Sequence, residues 1–153
     1  MIHKQSTDIM DTLRRIKNIN FWCLIPGMTP AEVYLLSAIC DEHGEKKKVS
    51  DLYEACDMQP TAVSRLMNTL EEKGLIVRNT RKDNRRIIDV DATALGKKAN
   101  QENRDIIQAY WAQVLGNIPE EDVEAMLRVL NEVKASMENV LAEQLRGRKE
   151  DHH

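Results

Sequence analysis

Apolar residues recur along most of this chain at intervals of three and four, the spacing that lines one face of an α-helix. In the first such stretch, 6–24, Ile9, Leu13, Ile16, Ile19 and Cys23 share a face, and the turn pair Pro26 and Gly27 closes it. "TPAEVYLLSAICDEHG" comes next. Thr29 supplies an N-cap, Pro30 suits the first helical position, and Glu32 stands at the spacing of a capping box. Val33, Leu36, Ile39 and Cys40 form the apolar face of that helix, and Gly44 ends it. In the next stretch Ser50 caps a short helix through Cys56 that carries Leu52 and Ala55 inward. Asp57 takes the turn after it, since short polar side chains tolerate left-handed backbone. Pro60 then opens a second helix, with Val63, Leu66, Met67 and Leu70 on one face and Gly74 as its stop. Its opposite face carries Thr61, Ser64, Arg65, Asn68 and Thr69.

The period then changes. "LIVRN" and "RRIIDVD" are strand-like, with Ile87 or Ile88 and Val90 as apolar positions and "TRKDN" as the loop between them. Helical spacing returns from Thr93 to about Gly116, and Pro119 opens a last helix. There Met126, Leu130, Val133, Met137 and Val140 alternate by four and three, a heptad seam that wants a partner helix. Two short helices joined by a tight turn, the second with a small polar face and an arginine, read as a helix-turn-helix, and the hairpin behind them as a wing. The pattern therefore predicts a mainly α fold with a small two- to three-stranded antiparallel sheet. A winged helix-turn-helix over 29–92 is flanked by helical segments 1–28 and 93–146, with 147–153 as a disordered tail.

Composition narrows the class. The 153 residues suit one domain, or one domain plus arms that need a partner, and 31% charged with 42% apolar residues is a globular balance. Six aromatics leave the core to aliphatics. No apolar run reaches the ~18–20 residues of a membrane span, and the N-terminus has no signal-peptide pattern. Cys23, Cys40 and Cys56 are odd in number and widely spaced, which favours free thiols in a reducing, cytoplasmic setting. The formal charge of −3 hides a segregation. Within 78–86, Arg78, Arg81, Lys82, Arg85 and Arg86 outnumber the single acid Asp83, whereas 119–145 holds seven acids against Arg128 and Lys134. One end of the molecule suits phosphate and the other does not.

Over 29–96 the chain resembles the MarR family of bacterial winged-helix regulators. The resemblance rests on "MTPAEVYLL", on "AVSRLMNTLEEKGLIVR", on the wing pair Asp83 and Arg85, and on the Thr93-x-x-Gly96 start of the next helix. The chain departs from the family pattern at Tyr53, Cys56 and Asp57. The resemblance implies a homodimer in which 1–28 and 93–146 form a dimerisation region of intertwined helices, and two winged domains that read a palindrome in double-stranded DNA. It also implies a pocket between the dimer helices and the winged domain for a small, aromatic effector. Trp22, Tyr34, Tyr110 and Trp111 are the candidates to line it, although aromatics at helical spacing are more often plain core.

Pro60, Thr61, Ser64 and Arg65 lie in the first turns of the second helix of the motif, where side chains reach major-groove edges, and Arg65 suits a bidentate pairing with guanine. Asn68, one turn on, suits a phosphate. A solvated polar face is the ordinary alternative, but beside a wing the DNA reading is favoured. Arg85, oriented by Asp83, suits minor-groove insertion, and Arg81, Lys82 and Arg86 suit phosphate contacts. Cys23 is the candidate for an oxidant-sensing variant, yet Cys23 and Cys40 fall on apolar helix faces and read as buried small hydrophobes. No metal-ligand cluster, cofactor motif or catalytic constellation is present in the sequence. What the resemblance implies is a repressor released by a small molecule, with a protein-docking helical module as the alternative.

Overall fold

The computed structural model describes residues 2–40, 47–56, 58–80 and 88–150. In chain order they form α1 (Ile2–Lys17), a 3-10 turn (Phe21–Leu24), α2 (Pro30–Cys40), β1 (Lys47–Lys48), α3 (Val49–Ala55), α4 (Pro60–Glu72), β2 (Ile76–Thr80), β3 (Ile88–Ala92), α5 (Ala94–Leu115) and α6 (Glu120–Glu150). The chain divides into two compact units, Met1–Ile107 and Gln108–His153. The division falls inside α5. The first half of α5 is bound to the winged domain through Thr93, Gly96 and Asn103, as described below.

The core of the first unit is aliphatic. Leu35, Leu36, Leu52, Val63, Leu70, Ile76 and Val90 are fully buried, with Ile39, Val49, Met67 and Leu75 around them. Leu35 joins Leu36 in this core because α2 is covered on two sides, which a single-face reading misses. The capping box at its start is formed. Thr29 N–H donates to Glu32 Oε2 at 2.6 Å and Glu32 N–H donates to Thr29 Oγ1 at 3.3 Å.

Three local expectations are corrected. α1 starts at Ile2 and stops at Lys17, so Ile19 and Cys23 are not on it. Asn18, Ile19 and Asn20 are poor helix formers, and the end tightens as Ile19 N–H bonds to Ile16 O at 3.0 Å. Ser50 does not cap α3. The helix starts at Val49 directly from the β1 ladder, and the Ser50 hydroxyl instead donates to Asp51 Oδ1 at 3.0 Å. At the far end α6 runs through Glu150, so helix covers most of the segment expected to be a tail from residue 147. One glycine among strong helix formers costs only about 1 kcal/mol and does not end a helix.

The sheet is antiparallel in the order β1-β3-β2. Val90 of β3 stands opposite Lys47 on one side and Arg78 on the other, and Asp89 opposite Lys48 and Asn79. Two glycines make the joints behind this hairpin. Gly74 has a φ of +70, the left-handed geometry that ends α4. Gly74 N–H reaches Glu71 O and Leu75 N–H reaches Leu70 O, both at 2.9 Å, the paired bonds of a Schellman motif. Thr93 then caps α5. Its hydroxyl donates to Gly74 O at 2.7 Å and accepts from Gly96 N–H at 3.0 Å, while Thr93 N–H reaches Leu75 O at 3.0 Å. A Cβ on Gly96 would lie 1.9 Å from Leu75 O, so only glycine lets α5 approach this closely.

In the second unit Tyr110 and Trp111 meet edge to face at 5.7 Å, and α6 carries its apolar seam in the open. Among the described residues, no helix is long and apolar enough to cross a membrane.

Candidate nucleic-acid interface

Gln59, in extended backbone, precedes α4, and Pro60 occupies its first turn, where a missing N–H costs nothing. Burial of Val63, Met67 and Leu70 fixes the helix's rotation on the core. That rotation leaves Pro60, Thr61, Ser64, Arg65 and Asn68 together on its exposed side. Thr69 is half-buried, and its hydroxyl bonds back to Arg65 O at 3.2 Å. The structure thus brings the five expected helix residues onto one solvent face.

Arg81, Lys82, Asp83, Arg85 and Arg86, the wing residues singled out in the sequence, lie outside the described residues. Arg78 at the root of the wing is described, and it does not serve as a free charge. Its guanidinium pairs with Glu71 of α4, with Nε at 3.0 Å from Oε2 and Nη2 against the same oxygen, and its N–H donates to Glu71 Oε1 at 3.3 Å. The Arg78 guanidinium holds the Glu71 carboxyl below the ordinary carboxylate range. Counting charge along 78–86 therefore overstated the basic cluster by one. The partner, Glu71, sits on the other side of the Gly74 turn.

A second ion pair fastens α4 to α2. Lys73 Nζ lies 2.7 Å from Oε1 of the buried Glu32 and donates to Gly27 O at 2.8 Å. Burial pushes the Glu32 carboxyl up. The Lys73 ammonium and the Thr29 donors outweigh it and hold the group below the ordinary value. In the same turn Asn103 Nδ2 donates to Met28 Sδ at 3.3 Å.

Of the aromatic candidates, Trp22 and Tyr34 meet edge to face at 5.3 Å. Tyr34, Ser37, Ala38 and Arg104 line a shallow pocket of about 410 Å³. Ser37 and Arg104 were not singled out from the sequence, since a serine and an arginine on helices carry no signal without the α2 and α5 pairing. Tyr110 and Trp111 pair with each other in the second unit. Cys23 is exposed, against the expectation of a buried thiol, because it falls in the 3-10 turn and not on the apolar face of α1. Cys40 and Cys56 are half-buried, and Tyr53, half-buried too, packs against the core.

Two short helices, the second with an open polar face, and the β2–β3 pair of a three-stranded sheet define a winged helix-turn-helix domain. Residues 27–87 match the MarR family. Over those residues the chain carries a MarR-family domain.

Among curated proteins, the HTH-type transcriptional repressor MdtR of Bacillus subtilis (strain 168) is 33% identical over 97 residues, covering 63% of this chain. The chain spans 61% of that relative's length. Among solved structures, a MarR family transcription regulator matches with a TM-score of 0.81 at 17% identity, over 93% of this chain and 95% of the other. The S. aureus MepR–DNA complex matches with a TM-score of 0.65 at 22% identity, over 71% of this chain and 80% of the other.

Proposed function

We propose that the chain is a homodimeric transcriptional regulator, not an enzyme, that binds double-stranded DNA at palindromic operators. It acts as a repressor that a small aromatic molecule releases. The observation that carries this reading is the exposed face of α4, where Thr61, Ser64 and Arg65 stand clear of the core at the helix's leading end. In a helix-turn-helix that end enters the major groove. Arg65 pairs with a guanine edge, Asn68 takes a phosphate, and Pro60 sets the approach of the first turn. From the wing, Arg85 enters the minor groove, oriented by Asp83, and Arg81, Lys82 and Arg86 hold phosphates. Residues 1–28 and 93–146 supply the dimer arms, in keeping with the exposed seam of α6. Trp22 and Tyr34 flank the effector site, and an effector there changes the separation of the two reading helices.

Selection of bound duplexes from a random DNA pool tests the reading. Two half-sites related by a two-fold axis and about one helical turn apart are expected. On the selected duplex, Arg85→Ala weakens binding and flattens the salt slope by about one unit. A pool with no enrichment at low salt overturns the proposal, and an unchanged slope removes Arg85 from the minor groove.

A further inference from the structure

We propose that Glu71 and Arg78 are a positioning pair that locks the wing to the DNA-reading helix, so that an acid, and not a base, at this place raises DNA affinity. This rests on the DNA-binding reading above.

Between the end of α4 and the start of β2 lie only residues 73–75, turning on the left-handed Gly74. The hairpin beyond that turn has a short grip on the body. Ile76 is buried at the base of β2, but Val77, Asn79 and Thr80 are exposed, as is Ile88 opposite Thr80. On its other side, β3 is held by β1, which among the described residues pairs at Val90 and Asp89. Arg78 is the middle residue of β2, opposite the buried Val90. The Glu71 carboxylate takes its N–H and both guanidinium donors at once, with both side chains partly shielded from water. A planar fork bound at two nitrogens resists rotation, which a single ammonium contact does not. Because β2 and β3 are joined by a full ladder from Ile76 to Thr80, fixing Arg78 fixes the direction in which the pair leaves the body. That direction decides where the following loop meets DNA relative to α4.

The sign of one substitution separates this role from simple charge. Glu71→Gln removes a negative charge near the duplex and leaves Arg78 one neutral acceptor oxygen in place of a charged carboxylate, which loosens the pair. If Arg78 served as a phosphate contact, the change would tighten binding and steepen the salt slope. Under the positioning role it weakens binding about tenfold, the size of one lost groove contact. Arg78→Lys keeps the charge, loses the fork, and weakens binding similarly.

The experiment footprints the full-length wild type and both variants on a duplex recovered from the random pool. Hydroxyl radical reads the minor groove and dimethyl sulfate reads guanine N7 in the major groove. Loss of minor-groove protection with major-groove protection retained, in both variants, is the expected result, and the retained half reports a folded domain. Tighter binding by Glu71→Gln, unchanged binding by Arg78→Lys, or equal loss in both grooves overturns the inference. A wild type that protects neither groove overturns the DNA-binding reading with it.

Discussion

Glu32 is buried to 4% exposure and still keeps its charge, because Lys73 and the Thr29 cap meet both of its oxygens. The capping half of this arrangement is legible in "TPAE", since its residues are three apart and the geometry is local. The Lys73 half is not, since 41 residues separate the partners and only the packing of α2 on α4 joins them. The same holds for Glu71 and Arg78, which by sequence alone count as independent charges. The depressed Glu32 pKa has a consequence for stability. A carboxylate whose folded value lies below its unfolded value stabilises the fold above the ordinary carboxylate range. The contribution fades as pH falls through the folded value. Glu32→Gln is therefore expected to lose about 1–3 kcal/mol at pH 7. In urea melts the gap between wild type and variant should narrow as pH drops below the ordinary carboxylate range. A gap constant from neutral to strongly acid pH would show that the charge of Glu32 is irrelevant to stability.

Helix existence, order and inner faces followed from periodicity, because Val33, Leu36, Val63, Met67 and Leu70 repeat with the helical period and all are buried. Helix ends followed less well. Ser50 had the chemistry of a cap, but strand pairing at Lys47 and Lys48 delivers the chain straight into α3, and tertiary structure overrides the local signal. The expected stop at Gly44 and turn at Asp57 lie outside the described residues. Gly74 and Gly96 were both visible as letters, yet they differ physically. Gly74 is needed for its backbone angle, and a methyl group there would meet nothing within 4 Å, whereas Gly96 is needed for the space against Leu75 O. Gly74→Ala should cost about 1–2 kcal/mol, the strain of a left-handed alanine. Gly96→Ala must push α5 off the turn and should cost about 3 kcal/mol or more, at or above the upper end of ordinary overpacking. Thermal unfolding of the two variants checks the order, and a Gly96→Ala variant as stable as Gly74→Ala would mean that α5 is free to shift at its start.

On the scale of the whole chain, the unsolved quantity in a lone copy is its exposed apolar surface. Met126, Leu130, Val133, Met137 and Val140 of α6 are 41% to 67% exposed, and α1 shows Ile9, Met10, Leu13 and Ile16 at 46% to 66%. Isolated chains rarely leave contiguous apolar surface of this extent in water. The α6 seam was legible because heptads are a sequence property, whereas the register of its partner is a property of two chains and has no sequence signal. Around Val133 the seam opens into a shallow groove of about 420 Å³, lined by Val129, Glu132, Ser136, Met137 and Val140. Val133→Asp places a second carboxylate beside Glu132 at the floor of that groove. If another copy of the chain covers it, wild type should sediment at twice 17.6 kDa, and its melting temperature should rise with concentration. The variant should approach the single-chain mass at micromolar concentration and lose that concentration dependence. Its DNA affinity should fall as well, because two half-sites then bind separate molecules and the effective concentration gained by linking them is lost. A Val133→Asp protein that stays a dimer would place the dimer contact elsewhere, whatever its affinity for DNA.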